Sequence, residues 1–400
     1  MGFYSAWPYF AGMAVVLLLA GTPLLRWADT APTTVAARVH TIDGLRGFLA
    51  LGVVFHHAAV YHQYLRTGQW VLPPTRFYTD LGQIGVTLFF MITGYLFWTQ
   101  MLKADGRPNL PKLYVGRVFR IVPLYLFLVA VMLLTVGVQT RWHLNEPRLA
   151  LVKEVSRWLA GGVFMEGDVN GDAGTGVISA HVTWSLQYEW FFYASLLVTS
   201  FFARQFVLGT LLPVVGCVAA AVLLRFYPDN SALAAALMFG VGMTVASVKS
   251  AFVAKPLKMP QWAMSTAAVG CLAVVVVSFD GVYDTLPILI LGVAFALVVF
   301  DATVFGLLLT RPARRLGDIS YGIYLLQGPV LFVMFAPASV RSAAAESAGV
   351  HWLVVMVATL ALLMLATATH ALIERPGIQA GQWLWVRMAS VRRRSAVSTV

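Results

Sequence analysis

The sequence predicts an all-α polytopic membrane protein, a bundle of about ten to twelve transmembrane helices. Of its 400 residues 59% are hydrophobic and only 11% are charged, less than half the charged fraction of a soluble domain. The apolar residues also gather into runs near 20 residues, the helical length that crosses a hydrocarbon core of ~30 Å. In lipid such a run must satisfy its own backbone hydrogen bonds, which makes each one a helix. The net charge of +11 fits basic loops on one side of a membrane; no nucleic-acid motif accompanies it, so no nucleic-acid partner is expected. Cys217 and Cys271 lie in apolar runs and imply neither a disulfide framework nor a metal site.

Taken in order, the runs fall at about 8–25, 44–63, 83–101, 119–138, 182–202, 205–225, 232–248, 261–279, 285–309, 318–337 and 351–373. The first has no basic residue before it and Arg26 directly after it. That is the pattern of an uncleaved anchor with its N-terminus outside, since a signal peptide needs a positive n-region. Residues 1–40 thus read as an extra anchor helix and linker, 41–378 as the membrane domain, and 379–400 as a basic cytoplasmic tail. The run 285–309 is long for one span and is expected to kink or break. With the N-terminus outside, the six cytoplasm-facing stretches hold nineteen of the 28 Lys and Arg residues, as the positive-inside rule requires. The one long external stretch is 139–181. Within it, Leu151, Val155 and Trp158 share a face opposite Lys153, Glu154 and Arg157, which reads as a helix on the outer membrane surface. The following EGDVNGDAGTG (166–176) reads as a mobile loop, either a lid over an acceptor or a solvated connector.

Four polar sets interrupt the apolar runs. In Thr41–Ala58, Asp43 and Arg46 precede His56 and His57. At ~100° per residue Arg46 and His57 point within about 20° of each other, while His56 falls about 80° away. A charge inside lipid is costly unless it faces protein or a wet cavity, so this set marks a functional site. In Tyr114–Tyr125, Arg117 and Arg120 are one turn apart; they make a fork for phosphate or carboxylate, or else ordinary cytoplasmic anchors. In His181–Tyr193, Glu189 sits in an apolar aromatic helix, suited to proton transfer or to pairing with a buried arginine. In Leu316–Pro329, Ser320, Tyr321, Tyr324 and Gln327 serve neighbouring helices or a ligand. A rise of ~1.5 Å per residue puts Arg46, Arg117 and Arg120 near the inner edge, and His57 and Glu189 together in the outer half.

These segments, in this order, resemble the acyltransferase-3 family of integral-membrane acyltransferases over roughly 40–376. DGLRG…FHHA fits its Arg, ten residues, His signature at Arg46 and His57, and GVTLFFMITGYLFW (Gly85–Trp98) fits its apolar segment ending in Gly-aromatic-Leu. Arg117–Pro123 fits Arg-x-x-Arg-Ile-x-Pro, TWSLQYEWFFY fits Trp-Ser-Leu-x-x-Glu-x-x-Phe-Tyr, ISYGIYLL fits Ser-Tyr-x-x-Tyr-Leu, and Ile373–Pro376 fits the closing Glu-Arg-Pro. Two positions depart: Trp190 stands where a second acidic residue is often found, and Gln327 where many relatives have His. Gln hydrogen-bonds but is neither acid nor base.

The resemblance implies an O-acyltransferase of the cytoplasmic (inner) membrane, most simply an O-acetyltransferase. Its donor would be cytoplasmic acyl-CoA, most simply acetyl-CoA, and its acceptor a hydroxyl of a cell-envelope glycan or related molecule, with no metal. Arg46, Arg117 and Arg120 would hold the CoA phosphates. His57 would be the general base or carry the acyl group, with Glu189 orienting or recharging it. Asp43, Trp184, Ser185, Tyr193, Ser320, Tyr321, Tyr324 and Gln327 would contact substrate. Some members carry a fused esterase-like domain; without one, transfer is expected to finish alone or with a separate extracytoplasmic partner. The rival reading is a proton-coupled transporter or flippase using His57 and Glu189 as a relay.

Overall fold

A computed structural model of the chain describes residues 2–23, 25, 39–164, 167–252 and 259–397, with side chains to 390 except that of Phe206. The linker expected after the first helix, including Arg26, lies outside the described residues. The described chain is helical, and its one extended pairing is an isolated bridge between Val169 and Asp172.

Every apolar run coincides with a helix. Among the described residues seven helical spans are long and apolar enough to cross a membrane. They are α2 (His40–Thr67), α3 (Arg76–Lys103), α4 (Leu110–Gln139), α8 (Phe206–Phe226), α9 (Ser231–Ala251), α10 (Gln261–Ser278), and α15 (Ala348–Thr369) continued into α16 (Arg375–Val397). An eighth is the pair α12 (Arg311–Asp318) and α13 (Ser320–Met334), bent by 69°. Two shorter apolar helices are α1 (Trp7–Gly21) and α11 (Thr285–Val299). The 285–309 run does break: the left-handed backbone at Asp301, Val304 and Phe305 turns the chain after α11. The expected tail from 379 is helical too, because α16 runs on through Val397 and packs Gly377 and Gly381 against Phe119 of α4.

Burial separates centre from rim. Over their most apolar stretches α2, α3 and α9 are 72%, 67% and 67% buried, against 22% for α8 and α10. On α8 the exposed residues Val207, Leu211, Val215, Val218 and Val222 recur at helical spacing, a stripe of the kind that faces lipid. The helix that carries the Arg46 and His57 signature is therefore at the core of the bundle.

The external stretch departs from its expected form. Helix α5 (Arg148–Leu159) turns Leu151, Val155 and Trp158 inward against protein, and the Trp158 indole donates to the Gly167 carbonyl at 2.9 Å. The Gly/Asp-rich loop is pinned rather than free. Asn170 accepts from the Asn145 backbone at 2.9 Å and donates to the His143 carbonyl at 2.8 Å, while Asp172 accepts from the Gly174 backbone at 2.9 Å. A turn-forming composition supplies side chains that bond their own backbone, and here those bonds fix the loop. Beyond it, α6 (Thr175–Ile178) and the residues to Thr183 are mostly buried. Ser179 and Ala180 lie against Gly328 of α13, where any Cβ would collide with their backbone. The chain is thus already inside the bundle when α7 (Trp184–Thr199) begins. The bundle is completed by α14 (Ala338–Glu346) beside α15.

A buried arginine cavity below a half-buried histidine

Two helices bring the arginines together. Arg46 from α2 and Arg117 and Arg120 from α4 line one cavity of about 220 Å³. The same cavity takes Ser185, Glu189 and Tyr193 from α7 and Ser320, Tyr321 and Tyr324 from α13. The Arg46 Nε is buried with no hydrogen-bond partner. The Arg117 guanidinium lies 4.3 Å over the Phe97 ring and against the Tyr193 side chain. One carboxylate enters the cavity, Glu189; its Oε2 accepts from the Tyr193 hydroxyl at 2.6 Å. Three guanidiniums facing one carboxylate leave a net positive, partly desolvated hollow, an arrangement that favours an anion presenting several oxygens. Arg117 and Arg120 also line a second cavity of about 470 Å³, with Asn109 and Lys112 at its rim. The two cavities share these arginines, and the second lies toward the end of the bundle where α4 starts.

The remaining walls are set by backbone-directed bonds. The Tyr321 hydroxyl donates to the Ile121 carbonyl at 2.9 Å, and the Ser320 hydroxyl to the Gly317 carbonyl at 2.8 Å. The Tyr324 hydroxyl meets the Ser185 hydroxyl at 2.8 Å and the Val182 carbonyl at 3.1 Å. This last set lies along α13 between the arginine cavity and Gln327, one turn further on.

His57 lies outside that cavity, about 16 Å along α2 from Arg46 at the helical rise. It is half-buried, and its Nδ1 meets the Gln327 Oε1 at 3.2 Å. Trp70 stacks on it at 6.2 Å, and His181 from the buried turn sits 5.5 Å from Trp70. The choice between the two histidines is supported by their surroundings. His56 is 9% exposed, packs on Gly82, and spends its Nδ1 on the Tyr78 carbonyl at 2.9 Å. Trp70 and His181 escaped the sequence reading of the site. His181 did open the third polar set, His181–Tyr193, but nothing in its spacing says that consecutive left-handed residues, Ala180 and His181, turn it toward Trp70.

The geometry separates residues that the sequence put together. Glu189 was expected at the depth of His57 as its partner; instead it shares the arginine cavity and bonds Tyr193. The reason is the start of α7. Because residues 175–183 dip into the bundle before that helix begins, Glu189 lies deeper than a count from the membrane edge gives. Asp43 and Trp184 lie outside the cavity lining. Asp43 faces His40 at 3.9 Å, one turn before Arg46, and Trp184 packs edge-on against Tyr188 at 5.7 Å.

A helical membrane bundle enclosing a cationic cavity and a separate histidine defines an integral-membrane protein with the parts of a group-transfer enzyme. The model of the acyltransferase-3 family, described as an acyltransferase domain, matches residues 39–368, and the chain belongs to this family of acyltransferase enzymes. Comparison with curated proteins and with solved structures returns no match.

Proposed function

We propose that the chain is an O-acyltransferase of the cytoplasmic membrane that moves an acyl group, most simply acetyl, from cytoplasmic acyl-CoA to a hydroxyl of an envelope glycan. The observation that carries this reading is the arginine cavity. Arg46, Arg117 and Arg120 converge on one hollow with a single carboxylate, and Arg46 Nε is left without a partner. Planar guanidiniums match phosphate oxygens two at a time. In this reading the nucleotide end of acyl-CoA lies toward Lys112 and Asn109, its phosphates at the arginines, and its thioester points along α2 to His57. The N-terminus is then external and the basic C-terminal helix cytoplasmic, in keeping with the loop charges.

His57 acts as general base. Its ring takes the proton of the acceptor hydroxyl as that oxygen attacks the thioester carbonyl; the C–O bond forms, the C–S bond breaks, and the proton passes to the departing CoA sulfur. Positioned base catalysis contributes ~10²–10⁴-fold. Glu189 serves the donor side, holding Tyr193 and moderating the repulsion among the three cations. Between donor and base stands the Ser185–Tyr324 contact, so Tyr324 must swing aside for the acyl group to pass. Trp70 and His181 flank the acceptor side.

Mass spectrometry of surface polysaccharide from cells with and without the gene tests the reading. An acyl ester present only with the intact gene is the expected result; identical ester content in both would overturn the glycan assignment.

A further inference from the structure

Gln327 is the position where this chain departs from many of its relatives, and its bonding has a consequence for His57. The side chain is 0% exposed and has two partners. Its Nε2 donates to the Tyr324 backbone carbonyl at 2.8 Å, and its Oε1 meets His57 Nδ1 at 3.2 Å.

The direction of the amide follows from the first bond. A backbone carbonyl has no proton to give, so the atom facing Tyr324 O must be the amide nitrogen. The reverse orientation would press two carbonyl oxygens together at hydrogen-bond distance and leave both unsatisfied in a buried site, costing about 1–3 kcal/mol. With the nitrogen committed to Tyr324, the oxygen must face His57. An amide oxygen only accepts, so the imidazole nitrogen opposite it carries the hydrogen. In a neutral imidazole a hydrogen on Nδ1 leaves the lone pair on Nε2.

We propose that Gln327 is a positioning residue that holds His57 as the Nδ1–H tautomer and so presents Nε2 as the atom that takes the acceptor proton. This rests on the reading of His57 as the base. The step itself is the one given above, with the proton moving from the acceptor hydroxyl to Nε2 and on to the CoA sulfur. Gln327 suits the task for a reason a histidine there would not: its donor and acceptor are distinct atoms that do not exchange roles with pH. Its own anchor is backbone, so a swing of the Tyr324 ring at the arginine cavity leaves it in place. The titratable groups acting on the His57 ring are His56 beside it on α2 and His181 from the buried turn, and neither supplies an acceptor to Nδ1.

The test is nitrogen-15 NMR of the full-length protein, labelled at histidine and held in lipid nanodiscs. The His57 signals are assigned by their loss in His57→Gln. The expected spectrum shows His57 as the Nδ1–H tautomer. In Gln327→Met, which keeps length and apolar bulk but accepts no such bond, the Nε2–H form should appear. The turnover rate should then fall about 10²-fold, the scale expected for a misplaced catalytic group, with the KM for acetyl-CoA unchanged. Gln327→Glu is the rescue in its protonated form: its hydroxyl donates to the Tyr324 carbonyl while its other oxygen accepts from Nδ1–H and should retain that tautomer. An Nε2–H signal at His57 in the unaltered protein would overturn the proposal, as would wild-type turnover in Gln327→Met. The wild-type spectrum needs no catalysis. Failure of the acyltransferase reading would appear instead as the expected tautomers with no acetyl transfer.

Discussion

His56 and His57 are neighbours on one helix, and the account gives them opposite jobs. The helical angle between them and Arg46 already favoured His57 in the sequence, and their partners supply the physical reason. His56 closes a bond to the Tyr78 carbonyl inside the α2–α3 contact; His57 bonds through Nδ1 to the Gln327 side chain. His57→Ala should therefore lower acyl transfer by ~10²–10⁴-fold while thermal unfolding in detergent stays near wild type. His56→Ala should do the reverse, losing a buried hydrogen bond worth about 0.5–1.5 kcal/mol and lowering the melting temperature while the folded fraction still turns over. Equal loss of turnover in both would sink the distinction. Glu189 shows where residue-level reading from sequence runs out. Its chemistry was legible, but its neighbours depend on how far the chain has entered the bundle before α7, and no local pattern states that.

At the scale of elements, the bends and insertions were the hidden part. Each apolar run announced a helix through its length and composition, so the helical segments could be placed from sequence. The buried turn 175–183 could not. The Gly and Asp residues just before it have the composition of a solvated loop, yet Asp172 bonds Gly174 and Thr175 there, and the turn itself wedges Ser179 and Ala180 against α13. The contact depends on Gly328, where there is no room for a side chain. Gly328→Ala should push the turn outward and strain its junction with α13 by about 1–3 kcal/mol, the range for overpacking. Because Gln327 and His181 move with that junction, the turnover rate should drop while binding of acetyl-CoA at the arginines holds. Limited proteolysis within 167–183 together with a turnover assay checks this. Unchanged turnover and unchanged cleavage would contradict it.

For the whole molecule, the arrangement is a division along the membrane normal. Cations gather at one end of a central helix, and His57 sits about 16 Å away along it, with one hydroxyl contact between them. The convergence of Arg46, Arg117 and Arg120 and the separation of His57 from them were legible in helical spacing, because these follow from the sequence alone. The closure between the two halves was not, because it is made by Ser185 and Tyr324 from helices distant in the chain.

The central claim is that the arginine cavity holds the anionic donor while His57 serves a later step. Equilibrium binding of radiolabelled acetyl-CoA to the purified protein in nanodiscs tests it most directly. Charge-assisted hydrogen bonds are worth about 1.5–3 kcal/mol, and 1.4 kcal/mol is tenfold in affinity. The double variant Arg117→Ala with Arg120→Ala should thus bind at least about tenfold more weakly, whereas His57→Ala should bind as wild type and transfer ~10²–10⁴-fold more slowly. Wild-type affinity in the arginine double variant would contradict the account.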